Sequence, residues 1–314
     1  MAADAQGRRS ALLLGIVIVF WGCNWPIIKL GLIDISPLWF AAARLGLGAA
    51  CMFAASAARG GIRLPPRADL PVVLSVALLQ FAAFLALAQT AMLYVPAGRS
   101  SVLAYTTPIW VVPLAWIVLG ERLDRARWLS LAFGTGGLIV LFSPLGVDYA
   151  DIPGLIGNGL LLLAALAWAV TIVHVRAHRW LSRPFDLIPW QMLLAAIIVT
   201  GVAAVLEPDG HVRWTVRLVL ILAYNGVIAS AFCFWAFITV NRSLSAATTA
   251  LASLGVPAIG LVSSAIVVGE PLTLGNVVGL LLILAGTVCL IDFRRIGGRQ
   301  PPPRAACADL RGNP

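Results

Sequence analysis

The sequence has little charge for its length. Of its 314 residues only 11% are Asp, Glu, Lys or Arg, whereas 61% are hydrophobic. Soluble domains contain about 25% charged and about 45–50% apolar residues, and a chain of this size cannot bury so much apolar surface in one or two cores. The composition excludes a soluble enzyme, a disordered protein and a disulfide-rich secreted scaffold. It predicts an all-α polytopic membrane protein whose surroundings are a lipid bilayer.

Motifs for metal, nucleotide or nucleophile chemistry are also missing. The five cysteines are scattered without a CxxC pair, and the chain contains neither HExxH nor GxxxxGK[ST]. No histidine lies within a helical turn of a serine or cysteine inside a long apolar run. These patterns supply metal ligands, phosphate-binding loops and activated nucleophiles. The sequence therefore predicts no cofactor, no metal site and no catalytic residues.

Long apolar runs dominate what is present. A helix needs about 20 mostly apolar residues to cross a hydrocarbon core about 30 Å thick. Ten such runs follow one another, with approximate limits 10–30, 36–58, 70–94, 97–119, 126–142, 154–174, 186–206, 218–240, 246–268 and 275–292. Because ten is even, the sequence predicts that both termini lie on the same side of the membrane.

The arginines between these runs predict which side that is. If the N-terminus is cytoplasmic, the inside segments carry 17 arginines and the outside connections carry three, Arg99, Arg213 and Arg217. Such an excess marks the cytoplasmic side. We expect a multi-pass protein of a bacterial inner (plasma) membrane with both termini in the cytoplasm. The net charge of +9 lies in short clusters rather than in a stripe, so nucleic acid is not a predicted partner.

An internal repeat relates the two halves of the chain. Four pairs fall at offsets of 147 or 149 residues: Pro108 with Pro257, Glu121 with Glu270, Trp21 with Trp168, and Arg44 with Gln191. Glycine precedes the glutamate in both copies, and this Gly-Glu pair and the proline are much less easily matched by chance than leucine or alanine. The sequence predicts two copies of one five-helix unit.

Five is an odd number, so the second copy must enter the membrane from the opposite side. Halves related in this way can exchange conformations and open a central cavity to either face, which is alternating access. The predicted organisation is a cytoplasmic N-terminal segment (1–9), the first repeat (10–142), an extracytoplasmic linker (143–153), the second repeat (154–293) and a disordered cytoplasmic tail (294–314). The pattern favours a secondary transporter; the alternative is an integral-membrane enzyme or a non-transporting membrane scaffold.

Several motifs resemble those of EamA-type members of the drug/metabolite transporter superfamily. They are Trp21-Gly22 before Asn24-Trp25-Pro26 and Lys29, the run 97–101 before Pro108, Gly120-Glu121-Arg122-Leu123, and Pro257 before Gly269-Glu270-Pro271-Leu272. The resemblance covers about residues 10–293. It implies a ten-helix bundle that moves small organic solutes, commonly outward: amino acids, related metabolites or drugs. The implied partner is thus a small-molecule substrate.

The two repeated prolines are candidate cavity residues. Each lies 13 residues before its glutamate, which is roughly 20 Å along a helix and near the middle of the membrane. Proline leaves a carbonyl without its usual donor, and interrupted helices at matching positions of two halves often mark a binding site. We expect Pro108 and Pro257 to flank the translocation cavity; a packing kink repaired by serine or threonine is the other interpretation.

Arg44 is the one fixed charge well inside a predicted span. A charge at that depth is costly unless it is paired or hydrated, and no Asp or Glu lies deep in any span. Its candidate partners are backbone carbonyls, hydroxyls such as Thr106 or Thr107, or a substrate carboxylate. A structural tether and an anion contact are equally consistent with the sequence.

Other polar and aromatic residues complete the candidate set. Those inside or at the ends of spans are Trp21, Asn24, Trp25, Gln80, Gln89, Tyr105, Trp110, Trp168, Tyr224, Asn225 and Trp235. Flat aromatic walls suit apolar or amphipathic solutes. Glu121 and Glu270 lie at span ends, where they either fix the boundary or take part in coupling. No buried carboxylate proton relay is predicted.

Small residues on spans five and ten predict a close helix contact. Gly134, Gly136 and Gly137 lie on one span, and Gly275 and Gly279 lie on the other. Faces of small residues let two membrane helices approach closely. Packing within one chain is the main expectation, and a homodimer is the alternative.

Overall fold

The computed structural model describes residues 2–120, 125–142, 150–178, 180–237 and 255–289. Within them the chain is helical, with no strand beyond a single bridge between Ile35 and Val212. Ten helical segments can be followed: α1 (Ala2–Gly31), α2 (Pro37–Ala58), α3 (Arg67–Ala91), α4 (Ala97–Leu119), α5 (Arg125–Leu141), α6 (Ile152–Ala177), α7 (Pro184–Leu206), α8 (Val216–Phe237), α9 (Gly255–Val268) and α10 (Leu274–Cys289).

Seven of these helices are long and apolar enough to cross a membrane: α2, α3, α4, α6, α7, α8 and the Leu12–Gly31 portion of α1. The remaining three are shorter, with 17, 14 and 16 residues in α5, α9 and α10. The prediction of an all-α multi-pass membrane protein is therefore confirmed at this coarser level. Proline marks the beginning of two of these helices. Pro37 and Pro184 lie in the first turns of α2 and α7, where the missing N–H would have no helical partner in any case.

Helices α3 and α8 each contain a π-helical segment. In α3 it covers Val76–Ala83 and in α8 it covers Tyr224–Phe232. The two segments begin 148 residues apart, between the offsets of 147 and 149 found in the sequence repeat. Wider π turns occur mostly as single-turn insertions and frequently at functional sites. Nothing in the two sequences, VALLQFAA and YNGVIASAF, marks this distortion.

The glycines of the two Gly-Glu pairs have the same backbone conformation. Gly120 ends α4 with φ +66°, and Gly269 follows α9 with φ +73°. A side chain would be strained in this left-handed region, so glycine is the residue that suits both positions.

The helices pack in a pattern that exchanges the two halves. Helix α1 packs against α9 and α6 packs against α4, while α2 packs against α8 and α7 against α3. Helices α2 and α7 pack against each other, as do α5 and α10. The contact between α5 and α10 is close because a Cβ atom on Gly137 would lie 3.0 Å from the Gly279 carbonyl oxygen. The predicted small-residue contact thus lies within one chain.

Two polar joints lie at opposite ends of the bundle, and we name the ends after their aspartates. At the Asp34 end, the Asp34 carboxylate in the α1–α2 connection accepts from Arg217 Nε at 2.8 Å, at the start of α8. At the Asp69 end, Asp69 at the start of α3 accepts from the Ser182 amide at 2.8 Å and from His178 at 2.9 Å. Each joint ties a corner of one repeat to the other.

One arginine lies elsewhere than the sequence suggested. Arg99, counted among the outside connections, is in the first turn of α4 and is buried. Its guanidinium donates to Asn158 Oδ1 at 2.9 Å and to the Leu141 carbonyl at 2.7 Å. It therefore joins α4 to α5 and α6 and carries no information on the orientation of a loop.

Candidate functional site

Arg44 has few partners for a buried guanidinium. Arg44 lies on α2 and is only 4% exposed. Its Nε and Nη2 donate to Ser230 Oγ at 3.4 and 3.3 Å. It also lies within electrostatic range of Tyr224 and Cys233. An arginine carries five N–H donors, and a carboxylate can accept two of them side by side. One hydroxyl at long hydrogen-bond distances leaves most of this capacity for another acceptor.

Close helix packing places Ser230 beside Arg44. A Cβ atom on Gly226 of α8 would lie 2.5 Å from Leu47 Cβ of α2, and one on Gly48 would lie 3.2 Å from Ser230 Cβ. The missing side chains allow α2 to lie directly on the π segment of α8. Thr106 and Thr107, the hydroxyls predicted as partners of Arg44, instead donate to carbonyls of their own helix at 2.7 and 3.1 Å.

Helix α1 closes the same region from the other side. The Trp21 indole donates to the Ala229 carbonyl at 2.8 Å, within the π segment, and Tyr224 Oη donates to the Phe20 carbonyl at 2.8 Å. Trp21 also meets Phe234 with ring centroids 5.3 Å apart. These contacts bring Trp21, Arg44 and Tyr224 together at the junction of α1, α2 and α8.

Several buried polar atoms have no hydrogen-bond partner. Among the described residues they are Asn24 Oδ1 on α1, Ser56 Oγ on α2, both amide atoms of Gln89 on α3, Trp110 Nε1 on α4 and Asn225 Oδ1 on α8. Buried polar groups normally find a protein or water partner, because leaving one unpaired costs about 1–3 kcal/mol. These five side chains therefore have capacity to accept from or donate to a solute or water.

Helix α4 is interrupted just before Pro108. Its two pieces, Ala97–Ala104 and Thr107–Leu119, are separated at Tyr105 and Thr106, and Pro108 is the second residue of the second piece. The hydroxyls of Thr106 and Thr107 satisfy carbonyls near the break. A kink and its repair by threonine are thus both present. Trp110 lies less than one turn beyond Pro108.

Pro257 lies opposite the first piece of α4. Its carbonyl accepts from Ser101 Oγ at 3.4 Å, and Ser101 and Trp25 both lie against Gly260 of α9. Pro257 and Trp25 are therefore in the packed contact of α1, α4 and α9. The residues before Gly255, which would show whether α9 is interrupted like α4, lie outside the described residues, as does Glu121.

The other predicted residues lie along α3, α6 and α8. Trp168 on α6 meets Phe84 of α3 edge to face, with centroids 4.7 Å apart. Gln80 is half-buried in the π segment of α3. Trp235 on α8 lies beneath the Arg59 guanidinium, 5.4 Å from the ring centroid. The predicted set is thus divided among the α1–α2–α8 junction, the α1–α4–α9 contact and the α3–α6 pair.

Sequence reasoning missed Ser230, the described hydrogen-bond partner of Arg44. A serine in an apolar span is common, and only the approach of α2 to α8 gives this one its meaning. A weak signal was available, since Ser230 lies five residues after Asn225 in a run that is otherwise apolar.

The chain is similar to membrane transporters along nearly its whole length. The family model described as "EamA-like transporter family" matches it twice, at residues 8–143 and 155–291. The "Uncharacterized transporter YoaV" of Bacillus subtilis is 27% identical over 88% of this chain and 94% of its own. The "Probable amino-acid metabolite efflux pump" of Escherichia coli is 28% identical over 90% of this chain and 94% of its own.

The chain is also similar to an exporter from another organism and to a solved crystal structure. The "Probable terminal-alkyne amino-acid exporter" of Streptantibioticus cattleyicolor is 26% identical over 93% of this chain and 96% of its own. A solved crystal structure superposes with a TM-score of 0.61 at 19% identity, covering 90% of this chain and 96% of that chain. At that identity the likeness establishes a shared fold alone.

Proposed function

This chain belongs to the EamA-like transporter family, and on that premise we propose that it is a secondary transporter that exports small organic solutes by alternating access. The solutes are amino acids, related metabolites or drugs. We place it in a bacterial plasma membrane with both termini in the cytoplasm. The family assignment confirms the resemblance seen in the motifs, and the relatives named as transporters favour a transporter over an enzyme.

The observation that carries the proposal is the double match of one transporter family model to two successive segments. Three structural features support an inverted repeat: the π segments 148 residues apart, the left-handed Gly120 and Gly269, and the exchanged packing of α1 on α9 and α6 on α4. An inverted repeat permits one cavity to face either side in turn. A non-transporting scaffold would leave this symmetry without a use.

For the substrate we propose a molecule with a carboxylate, held by Arg44. The argument rests on a buried guanidinium with a single hydroxyl acceptor among the described residues. Two relatives are named for amino-acid metabolites or an amino acid, which carry this group. Trp21, Tyr224 and the unpaired carbonyl oxygens of Asn24 and Asn225 would then bind the remainder of the solute. The amide oxygens are suited to an ammonium group.

Flux measurements in proteoliposomes test the function. Purified protein is reconstituted, vesicles are loaded with radiolabelled amino acids or cationic drugs in turn, and efflux is compared with protein-free vesicles. We expect efflux of at least one carboxylate-bearing solute, with competition by unlabelled solute. Binding without flux for every solute that stabilises the protein would favour a scaffold and contradict the proposal.

Accessibility labelling tests the inverted arrangement independently of any substrate. Asp148→Cys and Arg242→Cys follow the fifth and eighth predicted spans, and the proposed topology places them on opposite faces of the membrane. A membrane-impermeant thiol reagent added to intact cells should label the first and spare the second. Labelling of both from the same side would break the repeat and remove alternating access from the proposal.

A further inference from the structure

The Asp34 end of the bundle is closed by a carboxylate that the transport site does not use. Glu270, in the connection between α9 and α10, accepts from the amide of Ala97 at 2.6 Å and from the amide of Gly98 at 2.8 Å. These are free donors of the first turn of α4, where a carboxylate is favoured by both hydrogen bonds and the helix dipole. One side chain thereby joins the α9–α10 corner to the beginning of α4.

A cation from a third helix supports the same closure. The Lys29 ammonium at the end of α1 donates to the carbonyls of Met92 and Val95, in the connection that leads into α4, and it is attracted by Glu270. Lys29 and Glu270 therefore hold the start of α4 from two sides. Both charges act on backbone groups, so no other side chain is needed for the contact.

The packing beneath this contact is tight. Every residue from Ala97 to Ala104 is buried, and Ser101 is fully enclosed against Gly260 of α9. A Cβ atom on Gly98 would lie 3.0 Å from Leu261 Cδ1 and 3.3 Å from Ser264 Cβ, so glycine is what lets α4 approach α9. The described part of the α1–α4–α9 contact is thus closely packed between the Asp34 end and the residues Pro257 and Trp25.

We propose that Glu270 is the latch of the gate at the Asp34 end: its release of the Ala97 and Gly98 amides lets the first piece of α4 move away from α9. The break at Tyr105 and Thr106 gives that piece a place to turn. The proposal rests on the alternating access proposed above. Under the predicted topology the Asp34 end faces outward, so the latch controls the exit of the substrate.

The polar joints do not serve this purpose. The Asp34–Arg217 joint lies at the same end but connects the α1–α2 corner to α8, away from α4 and α9. It is formed in the same structure as the Asp69 joint at the opposite end. Because the Asp34 and Asp69 joints are formed at the same time, neither behaves as a gate, which must open at one end of the bundle while the other end is closed.

The test measures opening without a substrate. Ser101→Cys, about 6 Å below Ala97 along the helix, is introduced into a variant whose five native cysteines are replaced by alanine. Labelling by an impermeant maleimide is timed from each side of the membrane, in cells and in inverted vesicles. Adding Glu270→Ala should speed labelling from the Asp34 side at least about tenfold, the size expected for two charge-assisted hydrogen bonds.

Two further variants keep the outcome decisive. Gly98→Ala, which crowds Leu261 and Ser264 in the contact between α4 and α9, should also speed labelling and serves if Glu270→Ala fails to fold. Asp34→Asn is the matched control: it removes a carboxylate from the same end and should change the rate by no more than about twofold. Unchanged labelling with Glu270→Ala and Gly98→Ala, or equal acceleration with Asp34→Asn, would overturn the latch. Because no transported solute is involved, that result would leave the transport assignment intact.

Discussion

Helices α3 and α8 occupy equivalent places in the two repeats, yet only one of them faces a charge. Each contains a π segment at the same repeat position and packs against the second helix of the other repeat. Ser230 of α8 accepts from Arg44 of α2, whereas the matching positions under the repeat are Ala82 on α3 and Gln191 on α7. The π distortion is therefore common to both helices, whereas the described contact with the Arg44 guanidinium is made by α8.

The beginnings of α3 and α8 likewise carry polar joints at matching positions but with different hydrogen-bond partners. An offset of 148 residues relates position 34 to 182 and position 69 to 217, so the Asp34–Arg217 and Ser182–Asp69 joints are exchanged by the repeat. At the Asp34 end the carboxylate meets a half-exposed guanidinium. At the Asp69 end it is fully buried and meets two amides and His178. The two joints therefore occupy matching positions, but the aspartates accept from different groups.

The largest expected effect separates Arg44 from its counterpart. Arg44→Ala should reduce flux of a carboxylate-bearing solute about thirtyfold or more, because truncating one partner of a buried, hydrogen-bonded charge pair costs about 2 kcal/mol at least. The matched control Gln191→Ala removes the side chain at the equivalent position of the second repeat, which is also buried. It should leave flux within about threefold. Efflux from proteoliposomes at equal protein density measures both.

A structural tether would give a different result. If Arg44 only holds α2 to α8, Arg44→Ala should lower the melting temperature and depress flux of neutral and carboxylate-bearing solutes alike. If it binds the substrate, ligand-induced stabilisation by the carboxylate-bearing solute should disappear while other solutes still stabilise the protein. Equal ligand stabilisation of wild type and Arg44→Ala would contradict the anion contact.

A smaller effect concerns the hydroxyl that holds the guanidinium. Ser230→Ala should weaken flux about two- to tenfold, the range expected for one hydrogen bond, because Arg44 loses its described acceptor and its orientation. The converse change, Ala82→Ser, adds a hydroxyl at the matching position of α3, where the counterpart of Arg44 is the neutral Gln191, and should leave flux unchanged. Equal losses in both variants would mean that the π segments tolerate no change at this position and that the asymmetry has no functional meaning.

The sequence predicted an all-helical chain of long apolar helices, but not the π segments. The runs 36–58 and 186–206 coincide within two residues with Pro37–Ala58 and Pro184–Leu206, because prolines and charged connections limit them. Arg44 was identified because a charge is rare at that depth. Ser230 and Glu270 acquire their roles from contacts 186 and 172 or 173 residues apart, and no local pattern encodes such distances.

The smallest expected effect compares the two joints through their pH dependence. The hydrogen bond from Arg217, together with Thr215 and the charges of Arg217 and Arg213, holds the pKa of the Asp34 carboxyl below its usual value. A lowered pKa in the folded protein gives stability that is present above the unfolded pKa of about 3.9 and is lost as the pH falls through the folded value. Asp34→Asn should therefore lower the melting temperature by at most about 3 °C, equally from pH 8 to pH 5, with the difference shrinking below about pH 4.

Asp69→Asn should lower the melting temperature more than Asp34→Asn does, since the Asp69 side chain is fully buried and accepts from two backbone amides. Thermal unfolding in detergent across this range distinguishes them, and a difference for Asp34→Asn that varied between pH 5 and 8 would contradict the assignment of that joint to Asp34.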